Sequence, residues 1–318
     1  MQKYNFSVII PTYNRPQVLK KTLDCIERQK TDIPFEVIVV DDCSTLPLPE
    51  LGFGKGKRAS WKLLRNETNM GRAATRNRGI REAKGEYILM IDDDIWVSPG
   101  LLQAHYNAQK RIGGGVVVGA VPPASEVIDT VWNRYLAERY KRIQKRLEAD
   151  KLDHGLFFTG NVSLPRRILE GVGAFDETFK DYSFEDTEMG YRMFKAGMPF
   201  SYAGDAVGDH LYDENLRSIC DKAFQTGKSA YVFVKLHPEG ARLIQYHSMT
   251  YADWKGVNII KNAVKFILFS GRSPMVMLVK IGELIRWDSL VFKVLPWVEL
   301  ANMAGGVREA NLEGKGSK

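Results

Sequence analysis

The chain has little cysteine: Cys25, Cys43 and Cys220 are the only three among 318 residues, and none forms a CxxC pair. An odd, scattered trio argues against a disulfide or zinc framework and fits a reducing compartment. Long apolar runs are also missing. The start, "MQKYNFSVIIPTYNRP", holds only a five-residue apolar-leaning segment before Pro11, far short of a secretory core, and reads as a first strand. No run of about 18 uncharged apolar residues occurs, so no segment reads as a bilayer span. The longest apolar stretches near the C-terminus are interrupted by Lys265, Arg272 and Lys280. Together these absences predict a cytoplasmic chain, with attachment to the inner face of the cytoplasmic membrane as the alternative. An RNP-like or zinc-finger pattern is lacking, so nucleic acid is not an expected partner. "GFGKGK" at 52–57 lacks the spacing of a phosphate loop and reads as a solvated turn.

What is present describes a globular protein, 44% hydrophobic and 26% charged, long enough for one large domain or two moderate ones. The net charge of +7 is unevenly placed. Residues 1–221 hold 31 basic and 31 acidic side chains, whereas residues 222–318 hold 14 and 7, so the excess lies in the last third. That asymmetry suggests an anionic partner there, a membrane surface or an acidic polymer, against the simpler reading of a solvated face.

"FSVIIPTY" and "FEVIVVDD" are β-branched apolar runs separated by a stretch in which Val18, Leu19, Leu23 and Ile26 recur at helical spacing. This predicts a β-α-β unit. "WKLLRN" and "YILMID" supply two more strands, with the helical "RAATRNRGIREAKG" between them and Gly85 as its stop. The expected fold class is α/β, a Rossmann-like and mainly parallel sheet with helices on both faces. A further amphipathic helix is expected over 125–147, carrying Ile128, Val131, Trp132, Tyr135, Tyr140, Ile143 and Leu147. The segment 156–204 reads as a second half that closes a crevice.

In such a sheet, ligands bind beyond the carboxyl ends of the strands, and three of these runs end in "PTYNR", "DDCS" and "DDD". Three adjacent carboxylates at a strand end repel one another unless something cationic joins them. Hard divalent ions take oxygen ligands, retain water and share substrate phosphates. Strand alternation would set Asp92 and Asp94 on one face and Asp93 on the other. The basic cluster with Arg72, Arg76 and Arg78 complements this, and Arg76 with Asn77 is the favoured diphosphate contact. Surface ion pairs with Glu82 and Glu86 are the plainer reading of the same arginines.

"SVIIPTYNR", "VIVVDDCS", "GRAATRNRG", "IDDD", "GAFDETF" and "FEDTEMGYR", in this order over residues 5–212, resemble family 2 glycosyltransferases. The resemblance implies a GT-A fold, a nucleoside-diphosphate sugar donor, a divalent metal (Mn2+ or Mg2+) and inverting transfer, with UDP as the default nucleotide. Carried over by residue, it implies that Pro11, Tyr13, Arg15, Asp41 and Asp42 line the base pocket. Asp93 would bind the ribose hydroxyls and Asp94 the metal, with Asp92 in support. It places the general base in "FEDTE", at Asp186, with Glu185 and Glu188 as competitors, and gives His210 a metal or diphosphate role, with Asp209 as its rival. The plainer readings, a capping role for Asp42 and a turn at the triplet, are compatible with these assignments.

The expected organisation is a catalytic domain over 1–221, split into a nucleotide-sugar half (1–122) and an acceptor half (123–221). A basic helical region follows over 222–310, then a disordered tail over 311–318. In the helical region Ile260, Ala263, Val264, Ile267 and Leu268 form an apolar stripe near Lys255, Lys261 and Lys265, in the company of Trp254, Phe266, Phe269, Trp287 and Trp297. Core packing and an interfacial membrane helix are the two readings. The expected partners are a nucleotide-sugar donor and a glycan or lipid-linked acceptor. A sugar nucleotidyltransferase and a non-catalytic nucleotide-sugar-binding protein are the alternatives. Asn66-Glu-Thr and Asn161-Val-Ser match the glycosylation sequon, which a cytoplasmic chain would not use.

Overall fold

The computed structural model describes residues 4–48, 59–149, 152–180, 182–242 and 274–316. The "GFGKGK" stretch and the expected stripe around Ile260 to Leu268, with its lysines, lie outside the described residues. The chain forms two compact units, Met1–Val127 with Ala137–Lys180 and Glu185–Tyr212, and Ile128–Leu136 with Asp181–Phe184 and Asp213–Lys318.

The first unit is built on an eight-stranded sheet. Its strands are β1 (Phe6–Thr12), β2 (Phe35–Asp41), β3 (Ala59–Arg65), β4 (Tyr87–Ile91), β5 (Ile95–Val97), β6 (Val116–Ala120), β7 (Asn161–Pro165) and β8 (Phe200–His210). The spatial order is β3-β2-β1-β4-β7-β6-β8-β5. The half formed by β3, β2, β1 and β4 is parallel, as the apolar runs predict. Beyond it β7 runs antiparallel to β4 and β6, and β5 antiparallel to β8, so the whole sheet is mixed.

Both faces of the sheet are covered, which is why its central strands are buried along most of their length and mainly apolar. Along β1, Phe6, Val8 and Ile10 point to one side and pack with Leu19, Leu23 and Ile26 of α1 (Pro16–Glu27) and Leu101 and Leu102 of α3 (Leu101–Ile112). Ile9 points to the other side, toward Ala73 of α2 (Arg72–Glu82) and Met189 and Met193 of α6 (Glu185–Lys195). β3, at the sheet edge, is largely exposed. Gly85 has a different role from the helix stop expected of it. The helix α2 ends at Glu82, and a Cβ on Gly85 would fall 2.5 Å from the Ser7 backbone nitrogen. Its own N–H donates to Ser7 Oγ, so the glycine permits a close approach to β1.

The helix expected over 125–147 is α4 (Val131–Glu148), and it starts later than its apolar pattern. Thr130 Oγ1 accepts the Asn133 N–H at its start, and Ile128 precedes the helix, 73% exposed. A short α5 (Ile168–Val172) follows β7.

The second unit is helical, with the first turns of α4, then α7 (Leu216–Leu236), α8 (Pro274–Leu284) and α9 (Asp288–Gly316). Asn215 and Ser218 cap α7 reciprocally. Val131, Trp132 and Tyr135 pack with Ile219, Val279, Val291, Leu295 and Val298 to form its core. This unit takes residues 128–136 and 213–221 from the stretch expected to be catalytic. The tail expected to be disordered is helical through Gly316, because Lys228 of α7 pairs with Glu309 and Glu313 and the Tyr231 hydroxyl meets Asn311. α9 is also long and apolar enough, by length and composition, to cross a membrane, a feature its scattered charges hide in the sequence.

Where α7 crosses α9 the backbones touch. A Cβ on Gly306 would lie 1.9 Å from the Phe224 carbonyl oxygen, whereas one on Gly305 would meet only the Phe224 ring at 3.4 Å. Adjacent glycines therefore have opposite expected outcomes. Gly306→Ala should destabilise by about 1–3 kcal/mol or more through overpacking. Gly305→Ala should be neutral or gain up to about 1 kcal/mol from helix propensity. Urea unfolding followed by circular dichroism checks this, and equal effects of the two changes would contradict the crossing.

Candidate active site

The parallel register brings the ends of β1, β2 and β4 side by side, with Thr12 opposite Asp41 and Ile9 opposite Met90. β4 ends at Ile91, and the backbone turns at once, with Ile95 N–H donating to the Asp92 carbonyl at 3.2 Å. Strand alternation therefore stops before the triplet. Contrary to the expected pairing of Asp92 with Asp94, Asp93 and Asp94 share the Arg15 guanidinium, at 2.9 and 2.8 Å, while Asp92 faces Arg76.

Asp93 is buried. Its carboxylate also accepts from the Thr12 hydroxyl at 2.8 Å, and its carbonyl from the Thr22 hydroxyl at 2.6 Å. Burial pushes its pKa up to about 6, with the neighbouring Asp94 adding to the rise and Arg15 opposing it. For Asp94, burial acts upward too, but His210 and Arg15 outweigh it and hold the carboxyl well below the usual carboxylate range. His210 arrives through strand pairing. β5 and β8 set Ile95 opposite His210, the Leu211 N–H donates to the Asp94 carbonyl at 3.1 Å, and His210 Nε2 lies 3.6 Å from Asp94 Oδ2. His210 also packs against the Tyr212 ring. Asp209, its rival, lies opposite Trp96 in the same ladder.

Arg76 is 2% exposed, although its sequence neighbourhood reads as a basic cluster turned toward a ligand. Its guanidinium donates to Asp92 at 2.8 Å and to Glu185 at 2.9 Å. Burial would lower its pKa, but the two carboxylates overcome this and raise it. Arg76 Nε and Glu185 Oε2 remain buried without a partner. Asn77 is likewise occupied within the fold, giving Nδ2 to the Phe175 carbonyl and Glu177 and taking the Phe175 N–H on Oδ1. The expected diphosphate contact by this pair is therefore corrected: both side chains are turned inward, and α2 acts as a brace.

Glu185 and Asp186 open α6, so the brace ends beside the expected base. Asp186 is half-buried, with Oδ1 accepting the Thr187 N–H at 2.6 Å. Burial and the adjacent Glu185 charge both raise its pKa. Glu188 is paired with Arg192, whose guanidinium also caps the carbonyls of Val172 and Ala174, so it is not a free carboxylate.

The base-pocket candidates divide. Asp41 is fully buried and accepts from Ser44 N–H and Arg65. Asp42 accepts from Asn66 and from the N–H groups of Met70 and Gly71, just before α2. Both carboxylates hold loops from inside, Asp41 the turn after β2 and Asp42 the loop before α2, whose N-cap residue is Gly71 rather than Asp42. Tyr13, 44% exposed, Pro11 and Arg15 stay at the surface of the β1 end. The loops after β1 and β2 are joined by Asn14 N–H to Ser44 Oγ and by Thr45 N–H to Asn14 Oδ1. Thr12, Thr22 and Arg65 complete the site without having been singled out in the sequence, and Asn66 was read there only as a sequon; the positions of Thr12 and Arg65 at strand ends were the available signal. The two sequon asparagines, Asn66 and Asn161, are both buried.

Among the described residues, Arg15 pairs with Asp93 and Asp94 and Arg76 with Asp92 and Glu185, with His210 beside Asp94 and Asp186 next in the chain to Glu185, so carboxyl groups outnumber the guanidiniums. The donor set at Asp94 and His210, one oxygen and one nitrogen 3.6 Å apart, fits Mn2+ or Mg2+. Among the described residues no group of three or more His, Cys, Asp or Glu side chains is placed to hold a metal. A pair of donors of this kind is what an ion that keeps waters and binds substrate phosphate would take.

Arg76→Met should destabilise the first unit by about 3–5 kcal/mol, because it leaves the buried Glu185 carboxylate unpaired. Adding Glu185→Gln should recover part of that loss. Chemical denaturation checks both, and an Arg76→Met protein within about 1 kcal/mol of the parent would remove the brace.

A family model, Glycosyl transferase family 2, matches residues 7–172, just over half of the chain. The hyaluronan synthase of Pasteurella multocida is 28% identical over 240 residues, covering 66% of this chain and 25% of that protein. A validoxylamine A glucosyltransferase of Streptomyces hygroscopicus subsp. jinggangensis is 30% identical over 266 residues, covering 73% and 61%. The chain spans between 25% and 36% of the length of the hyaluronan and chondroitin synthases it matches. A mannosyltransferase from Pyrobaculum calidifontis, solved with GDP-Man and Mn2+, superposes with a TM-score of 0.62 at 18% identity, covering 100% of this chain and 89% of that one. That likeness shows a shared GT-A fold, and the family match shows membership: the chain belongs to glycosyl transferase family 2.

Proposed function

We propose that the chain is an inverting glycosyltransferase that moves a sugar from a nucleoside-diphosphate donor, a UDP-sugar by default, to a hydroxyl of a glycan or lipid-linked acceptor. One observation carries the reading: the buried Arg76 brace ties the turn bearing Asp94 to the helix start bearing Asp186. A metal-side carboxylate and a base candidate thus stand on one rigid frame within the first unit. The names of the related hyaluronan and chondroitin synthases support a glycan acceptor.

In this reading Tyr13 offers its exposed ring to the base, and Asp93 meets the ribose through lone pairs left free by Thr12 and Arg15. Asp94 and His210 hold the divalent ion, which offsets charge building on the leaving diphosphate. Asp186 takes the proton of the acceptor hydroxyl as that oxygen attacks the anomeric carbon opposite the leaving group. Glu185, fixed by Arg76, keeps a negative charge beside Asp186 and makes it a stronger base. A nucleotidyltransferase would release pyrophosphate and needs no base for a sugar hydroxyl, so Asp186 favours transfer.

Release of nucleoside diphosphate from a panel of sugar nucleotides with Mn2+ tests the reading. Asp94→Ala should abolish metal-dependent donor binding, measured by calorimetry, while Asp186→Asn should keep binding and lose transfer by at least roughly a hundredfold. A folded protein that neither binds nor turns over any donor would contradict the proposal.

The pH profile gives a second test. A base acts when deprotonated, and the Asp186 pKa is raised by burial and by Glu185. Transfer should therefore fall as pH drops through a value above the ordinary carboxylate range of about 4. Glu185→Gln removes the neighbouring charge and should move that limb to lower pH. A limb unmoved by this change would separate Glu185 from the chemistry.

A further inference from the structure

In the second unit α8, "PMVMLVKIGEL", carries only Lys280 and Glu283 as charges, yet among the described residues only one of its faces is covered within that unit. Val279 is buried in the core beside Val291, and Gly282 lies so close to Val291 that a Cβ would come within 2.8 Å of it. On the outward face Met277, Ile281 and Leu284 follow at helical spacing, with Met277 65% and Leu284 83% exposed. The apolar surface continues through the turn that leads to α9, where Ile285 and Trp287 are also more than half exposed. Arg286 between them adopts φ 52°, a left-handed conformation that costs a non-glycine residue energy. A helix with so few charges is ordinarily covered on more than one face.

The charges beside this face are sorted by sign. Glu283 accepts from Trp132 Nε1 at 3.0 Å, and Asp288 is held by the Arg134 guanidinium at 2.7 Å, so both acids are bonded to α4, although Glu283 stays exposed. The side chains of Lys280, beside the outward face, and Arg286, in the turn, are exposed, and no ion pair or hydrogen bond holds either one among the described residues. What remains exposed without a partner is aliphatic surface, one tryptophan and two cations. That combination matches an anionic lipid interface, where apolar side chains enter the acyl boundary, indole stays at headgroup level and Lys and Arg meet lipid phosphate.

We propose that the outward face of α8 and the α8–α9 turn dock the protein on an anionic bilayer surface. This docking is independent of the reaction assigned to the first unit and requires no donor or acceptor.

The test is co-sedimentation of the full chain with vesicles of phosphatidylcholine alone and of phosphatidylcholine with phosphatidylglycerol. The protein should sediment with the anionic vesicles, less so at high salt, and remain free with the neutral ones. Leu284→Glu should weaken binding by roughly tenfold or more by putting a charge into the acyl boundary. The pair Lys280→Glu and Arg286→Glu should do the same by reversing the electrostatic attraction. All three sites are exposed, so unchanged thermal melting shows that the variants fold. Brominated lipid should quench tryptophan fluorescence in the parent, and Trp287→Phe should remove most of that quenching. Absence of sedimentation with anionic vesicles, or undiminished binding by both variants, overturns the proposal. So does a dimer that Leu284→Glu dissociates in a protein that ignores lipid, since the face then belongs to a second copy.

Discussion

A guanidinium shielded from water stays charged only where carboxylates face it, and Arg76 is held by Asp92 on one side and Glu185 on the other. The rest of the site depends on that arrangement. Asp92 belongs to the turn after β4, Glu185 begins α6, and Arg76 itself rises from α2, so three elements meet through one side chain. Breaking either contact would leave a buried charge uncompensated, and the three therefore keep their relative positions. Catalysis by positioned groups needs such rigidity more than it needs additional ligands.

Around this brace the sheet supplies the remaining geometry. The parallel half lines up the ends of β1, β2 and β4, and the antiparallel β5–β8 pair returns the chain so that His210 faces Asp94. Arg15 neutralises part of the triplet's charge, yet Asp93 is still pushed upward by burial and its neighbours. The carboxyl excess that remains is what the proposed divalent ion would offset. The helical unit is held differently, by apolar packing and by the glycine contact of α9 with α7.

Much of the parallel half was legible, because β1, β2 and β4 are mainly apolar runs ending in polar clusters. The inward turn of Arg76 and Asn77 was not. Glu185 lies 109 residues from Arg76 and Phe175 lies 98 from Asn77, so local pattern presents a basic helix face where the fold makes a strut and a clamp. The triplet misled for a local reason: alternation holds along a strand, and the strand ends at Ile91. Asp41 and Asp42 look like ligand carboxylates in "VVDD", but neighbouring N–H groups and Arg65 reach them first. The helical continuation to Gly316 depends on pairing with Lys228 and Tyr231, which the glycine-rich tail does not announce.

The central claim, that one braced turn presents the metal ligands beside the base, is tested most directly by a crystal structure with Mn2+ and a nucleoside-diphosphate sugar, read by manganese anomalous scattering. The account requires an anomalous peak within about 2.3 Å of both Asp94 and His210. It also requires the Asp186 carboxyl to face the anomeric carbon and the Arg76 brace to remain intact. A peak that touches neither residue, or an Asp186 turned away from the sugar, would contradict it.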